Sequence, residues 1–490
     1  KDKEEKEEKK EDKPVRIDKK NLERRIVPID IPARNYTSLM AGPEKSIFYL
    51  ENVPNESGQT LHKYTLEKQE AESFMTGLNE VVFAHNRKSL LYRAGPNWGI
   101  VETGSKPKSG DGQLKLNLRI KIDPQAEYEQ IFREGWRIQR DFLYVDNVHG
   151  APWDMIYEWY QPWVKHVRHR SDLNYLIDIL SGEVSVGHSY VFGGDMPEVK
   201  QVNIGLLGAD FEVQNGRYRI KKIYSGESWH PDLKAPLAMT GLDVKGGDYI
   251  LAVNGQEVSG EDNIFSFFEE TTGRQTILTL SGSSDYYNNP KEVVAVPVGN
   301  EYLLRTFDWI EANRKKVEES SGGKLAYVYV PNTGGTGFRY FNRYYFAQQD
   351  KKGVVIDERN NGGGSAADYM IDIMSRKLFG YFNSKAGDKR HWTTPMAGIW
   401  GPKVMIINER AGSGGDLLPY MFRANNLGPL IGTRTWGGLV GTWDTPRFID
   451  GGGMIAPRGG FFDVDGNWAV EGEGIEPDIE VIQDPKLVLQ

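Results

Sequence analysis

"KVMIINERAGSGGDLL", residues 403–418, decides the fold. The apolar run "KVMIIN" passes through Ala411-Gly412-Ser413-Gly414-Gly415 and gives way to a helical pattern at Asp416. Strand, small-residue turn and helix in succession are the units of a layered α/β sheet. They are also the geometry of a nucleophile elbow, where the turn exposes a serine hydroxyl at the C-terminal end of a strand. Small neighbours let a substrate backbone approach Ser413, and the Gly414 amide can point at a developing oxyanion. A plainer alternative stands beside this one, because glycine-rich strand-to-helix turns also bind phosphates or simply turn.

A second stretch repeats the pattern. "VVIDERNNGGGSAADYM", residues 354–370, ends a strand and opens a helix, with glycines 362 to 364 at the crossing. Parallel strands place such turns side by side at one sheet edge. The amide of Gly363 or Gly364 is then a second oxyanion donor. The structural alternative is a turn stiffened by a local Asp357–Arg359 ion pair.

Working outward, residues 299–490 alternate helix and buried strand and read as one α/β domain. Helices are expected near 301–319, 338–348, 365–376 and 416–424, between the strands "LAYVYV", "GVVIDERN", "KVMIIN" and "GPLIGTR". Residues 199–298 return to strands, with one helix expected near 262–271. There "GLDVKGGDYILAVNGQEV" places Asn254-Gly255 as a tight hairpin and resembles a PDZ domain, whose use is to bind a peptide along a strand edge. Residues 123–198 carry helical spacing: Tyr128, Ile131, Phe132 and Trp136, then Ile156, Tyr160, Trp163 and Val167. A third helix is expected to be capped by Ser171 and to stop at Gly182. Residues 14–122 read as short strands with polar turns about every ten residues, the pattern of propeller blades or a sandwich. Two or three blades cannot close a ring, so this piece is expected to complete an array begun upstream. Residues 1–13, "KDKEEKEEKKEDK", are all charged and read as a solvated linker.

Bulk properties narrow the function. A chain of 490 residues holds on the order of three or four domains. Its net charge of −8 is spread along the chain and argues against a nucleic-acid partner. The absence of cysteine excludes disulfides, thiolate metal sites and cysteine nucleophiles. No apolar run approaches a membrane span, no HExxH motif occurs, and neither a metal nor a cofactor is expected. The chain opens at lysine and reads as the C-terminal part of a longer or processed protein, which leaves the compartment open between cytoplasm and periplasm.

A serine nucleophile needs a base. The eight histidines stand at 62, 85, 149, 166, 169, 188, 230 and 391. His166 and His169 lie in the basic run "KHVRHR". His188 is set apart by the glycine-containing stretch "SVGHSYVFGGD" that leaves the helical segment. Lysine is the other common base. None occurs between Lys403 and Lys486, so no lysine soon after Ser413 can serve.

Together, "SVGHSYVFGGD", the PDZ-like insert, "VIDERNNGGGSAADY", "NERAGSGGDLLPYMFR", "GTRTWGG" and "VEGEGIEPDIEV" resemble the C-terminal half of the tricorn protease family. The resemblance implies a multidomain chain: a β-propeller remnant, a small helical C1 domain, a PDZ domain and an α/β C2 domain of the tail-specific peptidase type. The wider C-terminal processing peptidases share the C2 core but use lysine. The family's Ser-His-Ser-Glu tetrad carries over as nucleophile Ser413, base His188 and orienting acid Glu471, with Glu473 the nearby alternative. The tetrad's second serine precedes the histidine, and here that position is Gly187. Ser189 after the histidine, a water, or a more direct reach of Glu471 would then make the link. The resemblance further implies peptide substrates and a hexameric assembly. The functions weighed are a serine peptidase acting through an acyl-enzyme, a non-catalytic propeller and PDZ scaffold, and an esterase using the same serine.

Overall fold

The computed structural model describes residues 18–25, 28–386 and 391–488, so the charged run 1–13 lies outside the described residues. The chain divides into two compact units, one ending at Ile122 and one beginning at Asp123.

In the first unit, β1 (Tyr36–Ala41), β2 (Ser46–Glu51), β3 (Gln59–Thr65) and β4 (Glu70–Leu78) form an antiparallel meander. A second meander holds β5 (Glu80–Phe83), β6 (Ser89–Ala94) and β7 (Asn97–Glu102). Their inward residues, Phe48, Leu61 and Phe74 from one sheet and Leu90, Tyr92 and Val101 from the other, share one core. Successive side chains on a strand point to opposite faces, so each sheet buries one side. These are two propeller-type blades, with no closed ring among the described residues.

The second unit opens with α1 (Pro124–Phe142), whose first amides are capped by the Asp123 carboxylate. After α2 (Trp153–Tyr160) the expected helix breaks into a 3-10 turn, Gln161–His166, because Pro162 has no amide to donate. α3 (Arg170–Gly182) is capped by His169, not by the expected Ser171. The ring Nδ1 of His169 accepts from the Ser171 amide, and Asp172 accepts from the His169 amide. The three helices bury Ile131, Phe132, Ile156, Leu173, Ile177 and Leu180 together. β8 (Tyr190–Phe192) leaves this core.

The next domain is a sheet of β9 (Ala209–Gln214), β10 (Arg217–Ile223), β11 (Tyr249–Val253), β12 (Gln256–Glu257), β13 (Thr276–Ser281) and β14 (Lys291–Ala295). Its order is β14-β13-β11-β10-β9, with β12 hairpinned onto β11 through Asn254-Gly255 at φ 48° and 81°. The helix expected near 262–271 is only a 3-10 turn, Ile264–Phe268. Its apolar residues Ile264 and Phe268 are buried, but five residues are too few to propagate an α-helix.

The last domain alternates α4 (Tyr302–Ser320), β15 (Leu325–Tyr329), α5 (Gly335–Ala347), β16 (Gly353–Asp357) and α6 (Ala367–Met374). The hairpin β17 (Gly380–Phe382) and β18 (Trp392–Thr394) follows, then β19 (Lys403–Ile407), α7 (Gly414–Ala424) and β20 (Leu430–Gly432). Short strands β21 (Gly441–Thr442), β22 (Gly453–Ile455), β23 (Pro457–Gly459) and β24 (Ile479–Glu480) complete it. The central sheet runs β15-β16-β19-β20-β24, all parallel. Val328, Phe341, Ile356, Met405, Leu418 and Phe422 lie in its core. Ile356 is paired with Met405, so the turns after β16 and β19 leave the same edge as neighbours. One strand of the domain is not local: β22 pairs antiparallel with β8 of the helical segment, Met454 opposite Val191.

Candidate active site

Ser413 caps α7 with φ 58° and ψ −117°, a left-handed conformation uncommon for a residue with a side chain. Such strain persists where the surroundings over-determine it. Its amide donates to the Gly438 carbonyl at 3.0 Å and to Asp416 Oδ2 at 2.7 Å. The neighbouring glycines are required by packing. A methyl on Gly412 would come 2.5 Å from the Trp436 ring, and one on Gly414 would come 2.0 Å from Thr333 Oγ1 and 2.3 Å from the Gly364 carbonyl oxygen.

The second glycine turn lies against the first. A methyl on Gly363 would stand 2.7 Å from Ser413 Cβ and 3.2 Å from the Gly414 nitrogen. The Gly363 amide is engaged by Asn361 Oδ1 at 2.9 Å. The Gly364 and Gly414 amides donate to no acceptor among the described residues. Beside the serine there are thus two free backbone donors on facing turns. The Asp357–Arg359 ion pair is also present in this turn, at 2.5 Å.

His188 sits just before β8 at φ 65° and is 9% exposed. Its ring packs edge-on against Trp436 at 5.1 Å, and Trp436 in turn covers Gly412 and donates its amide to the Ala411 carbonyl at 2.9 Å. Trp436 is therefore the physical bridge between the histidine and the serine turn. Burial lowers the pKa of His188 below its ordinary 6.5, opposed by the Glu471 and Asp416 carboxylates and the Val440 backbone. Burial thus favours the neutral imidazole, the form that can accept a proton. Its Nδ1 has no hydrogen-bond partner among the described residues.

Glu471 faces the same loop without bonding the ring. Its Oε1 accepts from the Gly187 amide at 3.3 Å, and its Oε2 accepts from Leu439 and Val440 at 2.7 and 2.9 Å. Glu473 is exposed. Ser189 turns toward the helical core, where its hydroxyl donates to Gln139 Oε1 at 3.4 Å. A methyl on Gly187 would stand 3.7 Å from Glu471 Oε1 and 3.0 Å from the Trp436 ring.

Residues 124–182 match the tricorn protease C1 domain, 205–299 the tricorn protease PDZ domain and 324–481 peptidase family S41. The chain belongs to the tricorn protease family. Tricorn protease homolog 1 of Streptomyces coelicolor is 30% identical over 494 residues, covering 96% of this chain and 46% of the relative. The tricorn protease of Thermoplasma acidophilum is 28% identical over 471 residues, 96% of this chain and 43% of the relative. A crystal structure of a tricorn protease superposes with a TM-score of 0.87 at 27% identity, covering 94% of this chain and 46% of that one. The chain spans about half the length of the curated relatives it matches. It is a tricorn-type chain of propeller remnant, C1, PDZ and peptidase family S41 domains. No helix of the described residues is long and apolar enough to cross a membrane.

Three residues at the candidate site escaped sequence reasoning. Asp416, fully buried, accepts from Thr435 Oγ1 and from the Gly437, Gly438 and Ser413 amides, tying the serine turn to the Trp436 loop. Burial nevertheless raises its pKa above the ordinary 3.8 against those four donors. Asn361 donates to Glu358 and accepts from Gly363. Trp436 was visible only as part of "GTRTWGG". An acid at the third helical position after a glycine pair was the available signal for Asp416.

Proposed function

We propose that this chain hydrolyses peptides or oligopeptides through an acyl-enzyme at Ser413. The Ser413 hydroxyl attacks the scissile carbonyl while His188 takes its proton. The resulting oxyanion is held by the Gly414 amide and by the Gly363-Gly364 turn, with the Gly364 amide as the free donor. His188 then protonates the leaving amine as the C–N bond breaks, and water hydrolyses the ester that remains. Glu471 acts on His188 through the Gly187 loop and the local field. A water in the space between Gly187, Glu471 and the ring makes the link better than Ser189, whose hydroxyl is taken by Gln139. Peptide substrates and assembly into a closed oligomer, a hexamer in the family reading, are proposed with it. So is a division into blades to residue 122, a C1 domain to 198, a PDZ domain to 298 and a C2 domain beyond.

The observation that supports this reading is the approach of two glycine turns around one strained serine, with two unengaged amides beside it. An esterase would use the same serine, and a scaffold would not need it. The test is intact-mass analysis after a fluorophosphonate probe, with mapping of the modified residue and turnover of peptide against ester substrates. Labelling at Ser413 with peptide turnover is expected. Ser413→Ala should lower kcat by about 10³-fold or more without loss of fold. Near-normal turnover by that variant would sink the assignment.

A further inference from the structure

Glu358 follows directly on β16 and is completely buried. Its amide donates to the Ile406 carbonyl at 3.0 Å, extending the ladder to β19. Its Oε2 accepts from Asn361 Nδ2 at 3.1 Å, and its carbonyl accepts from the Asn361 amide at 2.9 Å. Asn361 in turn touches both glycine turns. Its Oδ1 holds the Gly363 amide, and its carbonyl accepts from the Gly412 amide at 3.0 Å. A methyl on Gly415 would come 2.8 Å from that same carbonyl oxygen. Asn361 hydrogen bonds thus reach both turns, and the Asn361 side chain is itself bonded to Glu358.

We propose that Glu358 is a positioning residue for the oxyanion pocket, setting the Gly363-Gly364 turn against the Ser413-Gly414 turn through Asn361. The proposal rests on the reading of Ser413 as a peptidase nucleophile.

The chemistry of the acid makes the proposal testable. Among the described residues Glu358 pairs with no cation. The neighbouring Arg359 is taken by Asp357, which also accepts from Tyr327 at 2.7 Å. From α7, the Asp416 carboxylate faces it. Burial pushes the pKa of Glu358 well above its ordinary 4.5; the Asn361 hydrogen bond opposes this, and the charges of Asp416 and Asp357 reinforce it. The folded chain thus favours the protonated acid more than the unfolded chain does, with Oε1 unpartnered among the described residues. Because the folded chain holds a proton that the unfolded chain releases, this contribution to stability is full below about pH 4.5 and declines as pH rises toward the folded pKa. An ionised Glu358 would be an uncompensated charge among carboxylates.

The experiment compares the parent chain with Glu358→Gln and Glu358→Leu. Glutamine keeps the acceptor for Asn361 and cannot ionise. It should hold kcat within about threefold at pH 7 and flatten the decline of Tm as pH rises above about 4.5. Leucine removes the acceptor and should lower kcat about 10²-fold at nearly constant KM, the scale of one mispositioned oxyanion donor. Parent-like kcat in Glu358→Leu, or an undiminished decline of Tm above about pH 4.5 in Glu358→Gln, overturns the proposal. If Glu358→Leu does not fold, the glutamine variant decides alone. Should the parent neither label at Ser413 nor cleave peptide, it is the peptidase reading that has failed. Hydrogen exchange of the Gly363 amide then decides the positioning role: about tenfold faster exchange in Glu358→Leu than in Glu358→Gln supports it, and equal exchange overturns it.

Discussion

The two halves of the candidate site are built in opposite ways. On the serine side, Ser413, Gly363, Gly364 and Gly414 lie on adjoining turns of one parallel sheet, joined by hydrogen bonds through Asn361. On the histidine side, everything depends on segments far apart in the chain. Glu471 reaches the Gly187 amide across 284 positions, and β8 is held by β22. Asp450 pairs with Arg170 across 280 positions, both side chains buried, with Asp450 also accepting from Asp195 and Gly452. A local arrangement resists damage elsewhere in the molecule. An arrangement made by docking inherits the stability of the docking.

That contrast can be broken first at its centre. His188→Ala should lower kcat about 10³-fold while leaving the serine turn folded. In the parent, kcat/KM should rise with pH through a value below the ordinary 6.5 of histidine, since burial disfavours the imidazolium. A rise only near pH 9 or above would point to a lysine base.

Next comes the docking itself. Arg170→Met leaves Asp450 buried and unpaired, which costs about 3–5 kcal/mol in comparable cases. Thermal unfolding should shift down, and kcat should drop about 30-fold because β8 no longer fixes His188. Full activity in a folded Arg170→Met chain would show that β8 and β22 suffice. Glu471→Gln should be milder, about tenfold in kcat, while Glu473→Gln is silent because Glu473 is exposed. The reverse result would move the acid by one repeat of "EGEG".

The smallest effects sharpen the histidine side. Ser189→Ala should stay within about twofold, because its hydroxyl serves Gln139. Gly187→Ala must push the Trp436 ring, 3.0 Å from the new carbon. Gly187→Ser pushes it equally but brings a hydroxyl toward Glu471, so it should exceed Gly187→Ala by about threefold in kcat. Equal kinetics for the two would remove the hydroxyl link from consideration.

The same contrast governs what could be read in advance. The strands "GVVIDERN" and "KVMIIN" and their glycine turns were legible because apolar runs and glycines act within a few residues. So was the Asn254-Gly255 hairpin. The helix expected near 262–271 failed because apolar spacing says nothing of whether a segment is long enough to propagate. Ser171 was expected as a cap because hydroxyls usually fill that place, whereas the His169 ring does so two residues earlier. Asp416 and Trp436 act by contacts across the fold, and Arg170 with Asp450 left no local pattern at all. Gly187 was visible as a departure, but its neighbours Trp436 and Glu471 come to it only from distant parts of the chain.

The pairing of β8 with β22 has a consequence for the timing of synthesis. On the ribosome the histidine emerges more than two hundred positions before the serine, with the PDZ domain between them. If His188 is the base, the growing chain carries a proton acceptor whose strand is not yet held beside the serine domain until Gly453–Ile455 has left the exit tunnel and paired. Hydrolytic power would then arrive last, as a product of completed tertiary structure, and a truncated or unfinished chain would be harmless to the peptides around it.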